Sequence, residues 1–350
     1  MIKLHHGDSL DILKTMEDNS IDSICTDPPY GISLMSQKWD YQLPSIEIWK
    51  EAVRVLKPGG FMLAFSSSRT YHRMVCSVED AGFEIRDQLS WIYSQAMPHG
   101  LNIGKALSKK HPDIAEKWNG FHSALKPCME PIVLAMKPYD GTITDNILKY
   151  DVGGLNIDDC RIPIDITVDD PRLGGKGSWS TEGMAKNVYG KYSGERSSSS
   201  ELGRFPGNVI IDDSDDVQEI FDSFGEKSSG VPGKRRKEHS SNSMGKLGIL
   251  DREHEIGYAD KGSASRFFYC AKVSPKERQG SKHPSIKPIK LMEYLTKLIT
   301  PKGGTVLDPF AGTGTTGEAA ANNGFNCILI EREKEYINDC KERLVLWLEE

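Results

Sequence analysis

No stretch of apolar residues in this 350-residue chain approaches the roughly 18 that a helix needs to cross a bilayer. The first residues, Met1-Ile2-Lys3-Leu4-His5-His6, also lack the basic and then apolar layout of a secretory signal. These two absences predict a protein that neither enters nor crosses a membrane. We expect it in the cytoplasm.

Paired cysteines and clustered histidines are missing as well. The seven cysteines are scattered singly, and the nine histidines form no His-Glu-x-x-His motif. An unpaired set of cysteines in a chain of this length indicates a reducing compartment and argues against a zinc site. We therefore predict no structural metal.

An excess of positive charge is absent too. The formal net charge is -6, with 38% hydrophobic and 27% charged residues, which is ordinary for a globular enzyme. Because a nucleic-acid-binding enzyme needs only a locally basic surface, the acidic total does not exclude one.

Alternating strand and helix signals occupy both ends of the chain. Apolar runs predict strands at residues 21–25, 61–65, 131–136, 305–307 and 326–330, and helical spacing marks residues 49–56, 71–81, 289–299 and 315–323. This alternation predicts an α/β fold, with a mostly parallel sheet and helices on both of its faces. Glycine, serine and charge dominate the middle, so we predict a loop-rich insert at residues 151–279 between residues 1–150 and 280–350.

A glycine-rich motif follows the apolar run at residues 305–307. It reads Asp308-Pro309-Phe310-Ala311-Gly312-Thr313-Gly314, and Thr315 opens the next helix. Ligands in such folds lie beyond the carboxyl ends of the strands, and glycines let the backbone approach them closely. Glu331 ends the next predicted strand, where its carboxylate can accept hydrogen bonds from both hydroxyls of a ribose. The motif therefore predicts a nucleoside-containing cofactor.

A rival pattern overlaps this motif. Residues 312–317 also match the dinucleotide fingerprint Gly-x-Gly-x-x-Gly, with Glu331 near the expected distance. In a dinucleotide site, however, Asp308 would face a pyrophosphate, and that contact is repulsive. A carboxylate suits a cationic ligand instead, such as the ammonium or sulfonium group of S-adenosylmethionine, so we favour that cofactor over NAD.

A second motif, Asp27-Pro28-Pro29-Tyr30, follows the apolar run at residues 21–25. The exocyclic amine of a nucleobase is a poor nucleophile, because its lone pair is delocalised into the ring. Asp27 and the Pro28 carbonyl can each accept one amine hydrogen, and the prolines fix the direction of that carbonyl through their locked φ angles. Tyr30 offers a ring on which a flipped base can stack. This motif predicts methyl transfer to a base amine.

Together the two motifs resemble those of the DNA amino-methyltransferases, in the class with the catalytic motif first and the cofactor motif last (the beta class). The similarity covers most of residues 1–150 and 280–350. It implies a Rossmann-like, S-adenosylmethionine-dependent methyltransferase domain, with residues 151–279 as a target-recognition insert and double-stranded DNA as the partner.

Further segments carry the resemblance. Gly7-Asp8-Ser9 resembles the family's contact with the cofactor adenine, which would give Asp8 that role. Residues 126–131 resemble a segment that lines the base pocket, and residues 283–288, with Ser285 and Lys287, resemble one that contacts the methionine part of the cofactor. Residues 30–40, 203–206 and 266–270 resemble methylases of phages and prophages. The resemblance implies a bacterial or phage-infected cell, and it is compatible with a homodimer.

The target base is predicted from one residue. Asp27 is the first residue of the catalytic motif, a position where other members have serine. An aspartate at this position resembles the adenine-N6 enzymes more than the cytosine-N4 enzymes. We therefore predict an adenine-N6 DNA methyltransferase, with cytosine-N4 or RNA methylation as alternatives. A protein-glutamine methyltransferase, a non-catalytic DNA-binding module and a dehydrogenase are weaker hypotheses.

Pro127-Cys128 also matches the Pro-Cys nucleophile of cytosine-C5 enzymes, which depend on a thiolate. The amino-methyltransferase resemblance already explains this segment. We therefore expect Cys128 to line the pocket or to lie in the core.

Basic residues cluster locally in the predicted insert, and such a cluster can neutralise phosphates. Between residues 227 and 247, Glu238 is the only acidic residue beside Lys227, Lys234, Arg235, Arg236, Lys237 and Lys246. Four more arginines are candidates for guanine or phosphate contacts: Arg172, Arg196, Arg204 and Arg266. Trp39 and Trp179 are candidates either to fill the gap left by a flipped base or to pack in the protein. The recognised bases and a restriction partner do not follow from the sequence.

Overall fold

A computed structural model describes residues 1–94, 100–163, 177–180, 193–196, 203–212, 214–228, 261–271, 281, 283 and 285–348. The strands are β1 Ile2–His6, β2 Ile21–Thr26, β3 Leu56–Phe65, β4 Glu84–Ile92, β5 Met129–Met136, β6 Gly177–Ser180, β7 Ser193–Arg196, β8 Val209–Asp212, β9 Lys227–Ser228, β10 Lys261–Gly262, β11 Tyr269–Ala271, β12 Thr305–Asp308 and β13 Asn326–Glu331. The α-helices are α1 Ser9–Thr15, α2 Ile46–Val55, α3 Tyr71–Asp80, α4 Ile103–Leu107, α5 Pro112–Ala115, α6 Ile143–Tyr150, α7 Asp215–Ser223, α8 Ile289–Ile299, α9 Thr315–Asn322 and α10 Lys334–Arg343.

The main sheet has nine strands in the order β1-β13-β12-β2-β3-β5-β4-β8-β11. Its neighbours pair in parallel, except that β5 runs antiparallel to both β3 and β4. The predicted α/β fold with a mostly parallel sheet is therefore confirmed.

The hydrophobic core lies on both faces of this sheet. Along β3, Leu63 packs into one apolar cluster, whereas Met62 and Ala64 pack into the other. Because successive side chains of a strand point to opposite faces, the two clusters lie on opposite sides of the sheet. Leu295 of α8 belongs to the first cluster and Trp49 of α2 to the second, so helices cover both faces.

Strand β3 begins five residues earlier than the apolar run predicted, at Leu56 rather than at residue 61. The Gly59 N–H donates to the Lys137 carbonyl at 2.9 Å, and the Lys137 N–H donates to the Gly60 carbonyl at 3.0 Å. Gly59 has φ +80°, a conformation that glycine adopts without steric cost. Backbone groups thus bond Gly59 and Gly60 to Lys137, and the Asn146 side-chain amide donates to the Pro58 carbonyl at 2.9 Å.

The chain divides into two compact units. The larger comprises Met1–Cys160, Gly207–Gln218 and Tyr269–Glu350, and the smaller comprises Arg161–Pro206 and Glu219–Phe268. The smaller unit contains two short antiparallel pairs, β6 with β7 and β9 with β10.

This division differs from the predicted continuous insert at residues 151–279. Strand β8 pairs with β4 through Trp91 and Ile210, and β11 pairs with β8, so both strands extend the main sheet. Ile210 and Ile211 are fully buried, which explains why this short apolar segment joins the larger unit. The role of the smaller unit in target recognition stays a prediction.

Several predicted DNA contacts lie outside the described residues. They are Arg172, Lys234, Arg235, Arg236, Lys237 and Lys246, together with the side chains of Trp179, Arg196, Lys227 and Arg266. Among the helices that the structure describes, none is long and apolar enough to cross a membrane.

Candidate active site

The ends of three neighbouring strands bring the predicted residues to one edge of the sheet. β12 lies between β13 and β2, with Leu307 paired to Ile24, so Asp308 stands beside the end of β2. The Thr26 hydroxyl donates to Asp308 Oδ1 at 2.6 Å, across 282 positions of sequence. The strands that lead into the two motifs, β2 and β12, are therefore neighbours in the sheet.

Asp308 is buried and its carboxylate is held by the protein itself. Besides Thr26, the Thr316 hydroxyl donates to Oδ2 at 2.5 Å and the Phe310 N–H donates to Oδ1 at 3.0 Å. Burial raises the pKa of Asp308 to about 6, although these three hydrogen bonds act in the opposite direction. Asp308 thus organises the loop that follows it and also places a carboxyl group at the wall of the cavity described below.

Glu331 holds the same loop from the neighbouring strand. Its Oε2 accepts the Gly312 N–H at 2.8 Å, and its Oε1 accepts the Glu333 N–H at 2.7 Å. Burial raises the pKa of Glu331 to about 7, and the backbone hydrogen bonds partly offset this rise. The carboxylate lies at the end of β13, where the sequence predicted a ribose contact.

Helix α10 supports the glycine-rich loop from behind. The Arg343 side chain donates from Nε to the Thr313 carbonyl at 2.9 Å, and the Cys340 thiol donates to the Gly312 carbonyl at 3.1 Å. A Cβ on Gly314 would lie 3.2 Å from the Cys340 sulfur, and the φ of Gly314 is +80°. Glycine at this position lets loop and helix approach closely.

The predicted adenine contact, Asp8, caps helix α1. Its Oδ1 accepts the Leu10 N–H at 3.0 Å, and the neighbouring Ser9 hydroxyl donates to the Pro309 carbonyl at 2.6 Å. Because Pro309 belongs to the glycine-rich motif, the Ser9 bond joins the first helix to the cofactor loop.

The catalytic motif carries a network of charged and polar groups. Asp27 Oδ1 accepts the Tyr30 hydroxyl at 2.6 Å, and Asp27 Oδ2 accepts the Lys287 ammonium at 2.6 Å. The Tyr30 hydroxyl also donates to Glu130 Oε2 at 2.9 Å, and the Lys287 ammonium lies 3.2 Å from the same oxygen. Two carboxylates therefore share one ammonium and one phenol.

Burial would lower the pKa of Lys287, but the charges of Asp27 and Glu130 and their hydrogen bonds raise that pKa above its ordinary value overall. The pKa of the Tyr30 hydroxyl is also raised, by burial first and then by the same two carboxylates. Lys287 is thus a buried ammonium, with 4% of its side chain exposed, and Tyr30 is a neutral donor.

A cavity of about 530 Å³ opens between the two motifs. This volume lies within the range of about 300–1,000 Å³ that small-molecule sites occupy. Every predicted site residue except Gly314 lines it: Asp8, Asp27, Pro28, Pro29, Tyr30, Ser285, Lys287, Asp308, Phe310, Ala311, Gly312, Thr313, Thr315 and Glu331.

Comparison with known proteins identifies the family. The sequence profile of the N6_N4_Mtase family, described as DNA methylase, matches residues 21–342. The chain belongs to this DNA methylase family.

Two curated relatives of this chain are Type II methyltransferases. M.HindIII of Haemophilus influenzae is 31% identical over 199 residues, which cover 44% of this chain and 64% of M.HindIII. M.BglI of Bacillus subtilis is 46% identical over 88 residues, which cover 25% of this chain and 23% of M.BglI. The chain thus spans less than two thirds of the length of these relatives.

Two solved structures align with nearly the whole chain. The M1.HpyAVI–SAM complex is 19% identical, covers 99% of this chain and 100% of its own, and has a TM-score of 0.47. The PvuII DNA methyltransferase, which is cytosine-N4-specific, is 15% identical, covers 98% of this chain and 86% of its own, and also has a TM-score of 0.47.

Lys287 contacts the catalytic motif directly, since its ammonium lies on Asp27 and Glu130. Its role at the methionine part of the cofactor, with Ser285, stays a prediction. The Lys287 ammonium also donates to the Ser285 hydroxyl at 3.5 Å. Lys287 therefore joins the cofactor segment to the catalytic motif.

Two acidic residues of this site were missed by the sequence reasoning. Glu130 was included in the predicted pocket segment but given no role, although a carboxylate directly before an apolar strand at a predicted site is a usable signal. Asp40 was included in the segment of residues 30–40 but was given no role. It is 1% exposed, and its carboxylate accepts the backbone N–H groups of residues 30, 31, 32 and 34 at 2.6, 3.0, 3.3 and 2.8 Å. No local pattern predicts that four donors converge on it.

Trp39 packs against two aromatic rings of the protein. Its ring stacks on His283 with centroids 5.5 Å apart, and Tyr336 meets both rings edge-on. Burial lowers the pKa of His283, with nearby charges and a hydrogen bond as smaller effects. This aromatic cluster fastens the loop after the catalytic motif to the segment that carries Lys287.

The position of Cys128 differs from the one predicted. Cys128 is exposed and does not line the cavity, so the expectation of a pocket or core position is wrong. The reason is that Cys128 precedes β5, and the burial of that strand begins only after it.

Arg204, a candidate DNA contact, is buried, with 6% of the residue exposed, and its backbone pairs with Ile162 within the smaller unit. Among the described residues, no group of His, Cys, Asp and Glu could hold a metal ion.

Proposed function

We propose that this chain transfers a methyl group from S-adenosylmethionine to the exocyclic N6 amine of adenine in duplex DNA. The observation that carries the proposal is the position of Asp27: it shares one cavity with the glycine-rich loop, and the adjacent Thr26 is hydrogen-bonded to Asp308. An amine acceptor and a nucleoside site are therefore contiguous.

The residues present fit the proposed cofactor. Glu331 supplies a carboxylate for ribose hydroxyls. Gly312, with φ +53°, lines the cavity without a side chain, so a cofactor can lie close to the backbone there. Asp8, Asp308 and Glu331 make this end of the cavity acidic, which favours a cationic sulfonium and ammonium over a pyrophosphate. When bound, S-adenosylmethionine supplies an electrophilic methyl group on positively charged sulfur.

Asp27 and the Pro28 carbonyl orient the base in this proposal. Each accepts one hydrogen of the exocyclic amine, which shifts the nitrogen towards tetrahedral geometry and directs its lone pair at the methyl carbon. Asp27 already binds Tyr30 and Lys287, so its carboxylate is held in one orientation before the base arrives. The amine loses one proton after transfer, because the methylated cation is strongly acidic.

Adenine is proposed over cytosine because the catalytic motif begins with Asp27, as in the adenine-N6 enzymes that it resembles. The smaller unit, Arg161–Pro206 and Glu219–Phe268, is proposed to read the target sequence. A homodimer is proposed from the resemblance alone.

The test is to incubate the protein with duplex DNA and a labelled methyl donor, and then to digest the DNA to nucleosides. We expect the label in N6-methyladenine. Recovery of N4-methylcytosine instead would contradict the adenine proposal, and label in RNA alone would contradict the DNA proposal.

Asp27→Asn keeps the shape of the side chain but removes its charge. We expect the transfer rate to fall by a factor of about 100 to 1,000, as for other groups that act on the reacting atoms. Asp80→Asn, at an exposed position of α3, is the matched control and is expected to keep full activity. Equal activity in the two variants would remove Asp27 from the mechanism.

A further inference from the structure

The loop of residues 100–128 lies before β5 and carries α4 and α5. It is held together by its own backbone. The Ile103 N–H donates to the Phe121 carbonyl at 2.9 Å, and the Ser123 N–H donates to the Leu101 carbonyl at 3.0 Å. A Cβ on Gly104 would lie 2.9 Å from the Trp118 carbonyl, so the two sides of the loop are closely apposed. The 100–128 loop is therefore a defined structure that closes on itself.

The apolar side chains of this loop are left on its surface. The exposed fractions are 60% for Leu101, 44% for Ile114, 36% for Trp118, 54% for Phe121 and 92% for Leu125. Trp118 and Phe121 contact each other edge-on, with ring centroids 5.3 Å apart. Exposed apolar side chains on a defined loop, two of them in contact, are typical of a binding surface.

The charge of the loop is opposite to that of the chain. It contains five lysines and two acidic residues, in a protein whose formal net charge is -6. All five lysines are exposed: Lys105, Lys109, Lys110, Lys117 and Lys126. The loop is thus a local basic surface that also displays aromatic rings.

The base of the loop is joined to the catalytic network. The Tyr93 N–H donates to the Cys128 carbonyl at 3.0 Å, and Ile92 of β4 pairs with Met129 of β5. The next residue, Glu130, accepts the Tyr30 hydroxyl at 2.9 Å and the Tyr93 hydroxyl at 3.3 Å. The loop therefore projects from the same sheet edge as Asp27, two residues from a side chain that binds the catalytic motif.

We propose that the 100–128 loop binds the DNA backbone beside the target base. This inference rests on the proposed function for the identity of the polymer. Exposed ammonium groups bind phosphates, and exposed aromatic rings can pack on sugars and on unstacked bases. The loop supplies both next to the site where a base must leave the duplex.

A second copy of the chain fits this surface less well. A twofold dimer interface places the same patch on both subunits, so lysines would face lysines near the axis. Like charges at close range are unfavourable, whereas the phosphates of DNA are complementary to them.

The experiment compares two triple variants in the full-length protein. In the loop variant, Lys109, Lys110 and Lys117 are changed to Gln. In the control variant, Lys14, Lys302 and Lys341 are changed to Gln, which removes the same charge at exposed positions outside the loop. Binding to a fluorescent duplex is measured by anisotropy between about 50 and 200 mM salt, where each neutralised phosphate contributes a slope of about -0.9 in log K against log salt.

We expect the loop variant to bind DNA at least tenfold more weakly than the control variant, with a salt dependence shallower by about 2 to 3 units of slope. If both variants bind with the same affinity and slope, the inference is overturned. It is also overturned if Trp118→Ser with Phe121→Ser converts a dimer to a monomer in sedimentation while DNA binding is unchanged.

The two proposals fail separately. If the wild-type protein transfers no methyl group to DNA but its DNA binding depends on the loop lysines, the proposed function is wrong and the loop inference stands. If the wild-type protein methylates DNA and the loop variant matches the control variant in affinity and slope, the proposed function stands and the loop inference is wrong.

Discussion

Lys287 lies 2.6 Å from Asp27 although 260 positions of sequence separate them. The ammonium compensates two carboxylates that would otherwise repel each other across the site. At the scale of single residues, the site depends on this balance of one positive charge against Asp27 and Glu130.

Lys287→Met is expected to lower the free energy of unfolding by about 3 kcal/mol, because it leaves Asp27 and Glu130 without their buried counter-charge. Adding Glu130→Gln removes one of the two carboxylates and should restore part of the loss. Chemical denaturation measures both. Lys50→Met, which breaks an exposed pair with Glu47, is the control and should cost at most about 1 kcal/mol. A loss as small as that of the control would contradict the prediction.

Glu331 predicts a pH dependence. Its pKa of about 7 is raised above the ordinary value, so the carboxylate is ionised only above that pH. Ribose hydroxyls donate more strongly to the ionised form. Cofactor affinity should therefore increase about tenfold between pH 6 and pH 8, as the ionised fraction rises through the pKa of about 7.

The raised pKa of Glu331 also affects the stability of the protein without cofactor. This stability changes with pH in the opposite direction to the cofactor affinity. A carboxyl group with a raised pKa in the folded state contributes stability below its unfolded pKa and loses that contribution as the pH rises through about 7. Calorimetric titration and denaturation across this range measure the two effects. Glu331→Gln is the control: its affinity should rise only about twofold over this range, as Asp308 ionises through its pKa of about 6, and an unchanged tenfold rise would contradict the assignment.

At the scale of elements, the segment after the catalytic motif is held by Asp40. One buried carboxylate accepts the N–H groups of Tyr30, Gly31, Ile32 and Leu34, so the loop is tied to a single side chain. Hydrogen bonds to charged groups contribute about 1.5–3 kcal/mol each when their geometry is good. Asp40 is therefore a positioning residue, acting through the backbone that carries Tyr30.

Asp40→Asn should lower the turnover number about tenfold or more, because an amide nitrogen replaces one acceptor and the loop loses part of its support. Cofactor affinity should change less than about twofold, since the glycine-rich loop is bonded to Glu331 and Arg343 instead. Steady-state kinetics and cofactor titration separate the two quantities. Equal losses in turnover and in cofactor affinity would indicate general unfolding rather than mispositioning.

At the scale of the whole molecule, the cavity joins the two ends of the chain. β2 comes from the start and β12 and β13 from the end, and β12 lies between β13 and β2 in the sheet. A ligand in this cavity contacts residues from both ends at once. Binding should therefore stabilise the larger unit as a whole.

S-adenosylmethionine at one hundred times its dissociation constant should stabilise the folded protein by about 2.7 kcal/mol, which raises the melting temperature by several degrees. NAD at the same concentration should give no shift, because Asp308 and Glu331 disfavour a pyrophosphate. Differential scanning fluorimetry measures both ligands. A shift with NAD and none with S-adenosylmethionine would reverse the choice of cofactor.

Much of the fold could be predicted from the apolar pattern. The helix predicted at residues 289–299 begins and ends where the structure has it, and the strand predicted at residues 305–307 continues by one residue to Asp308. The 100–128 loop and the place of β8 and β11 in the main sheet were not predicted. Short segments with weak periodicity do not indicate which distant strand they will join.

The sequence by itself determined the alternation of strands and helices at the two ends of the chain and placed Asp27, Asp308 and Glu331 at strand ends, because local periodicity reports which residues are buried. It also determined the family, through motifs that need no coordinates. Only the tertiary structure placed Lys287 on Asp27, brought Glu130 to Tyr30 and buried Asp40 under four N–H groups. These contacts produce no local sequence pattern, so the sequence alone does not predict them. They stabilise the protein only after folding has brought their residues together.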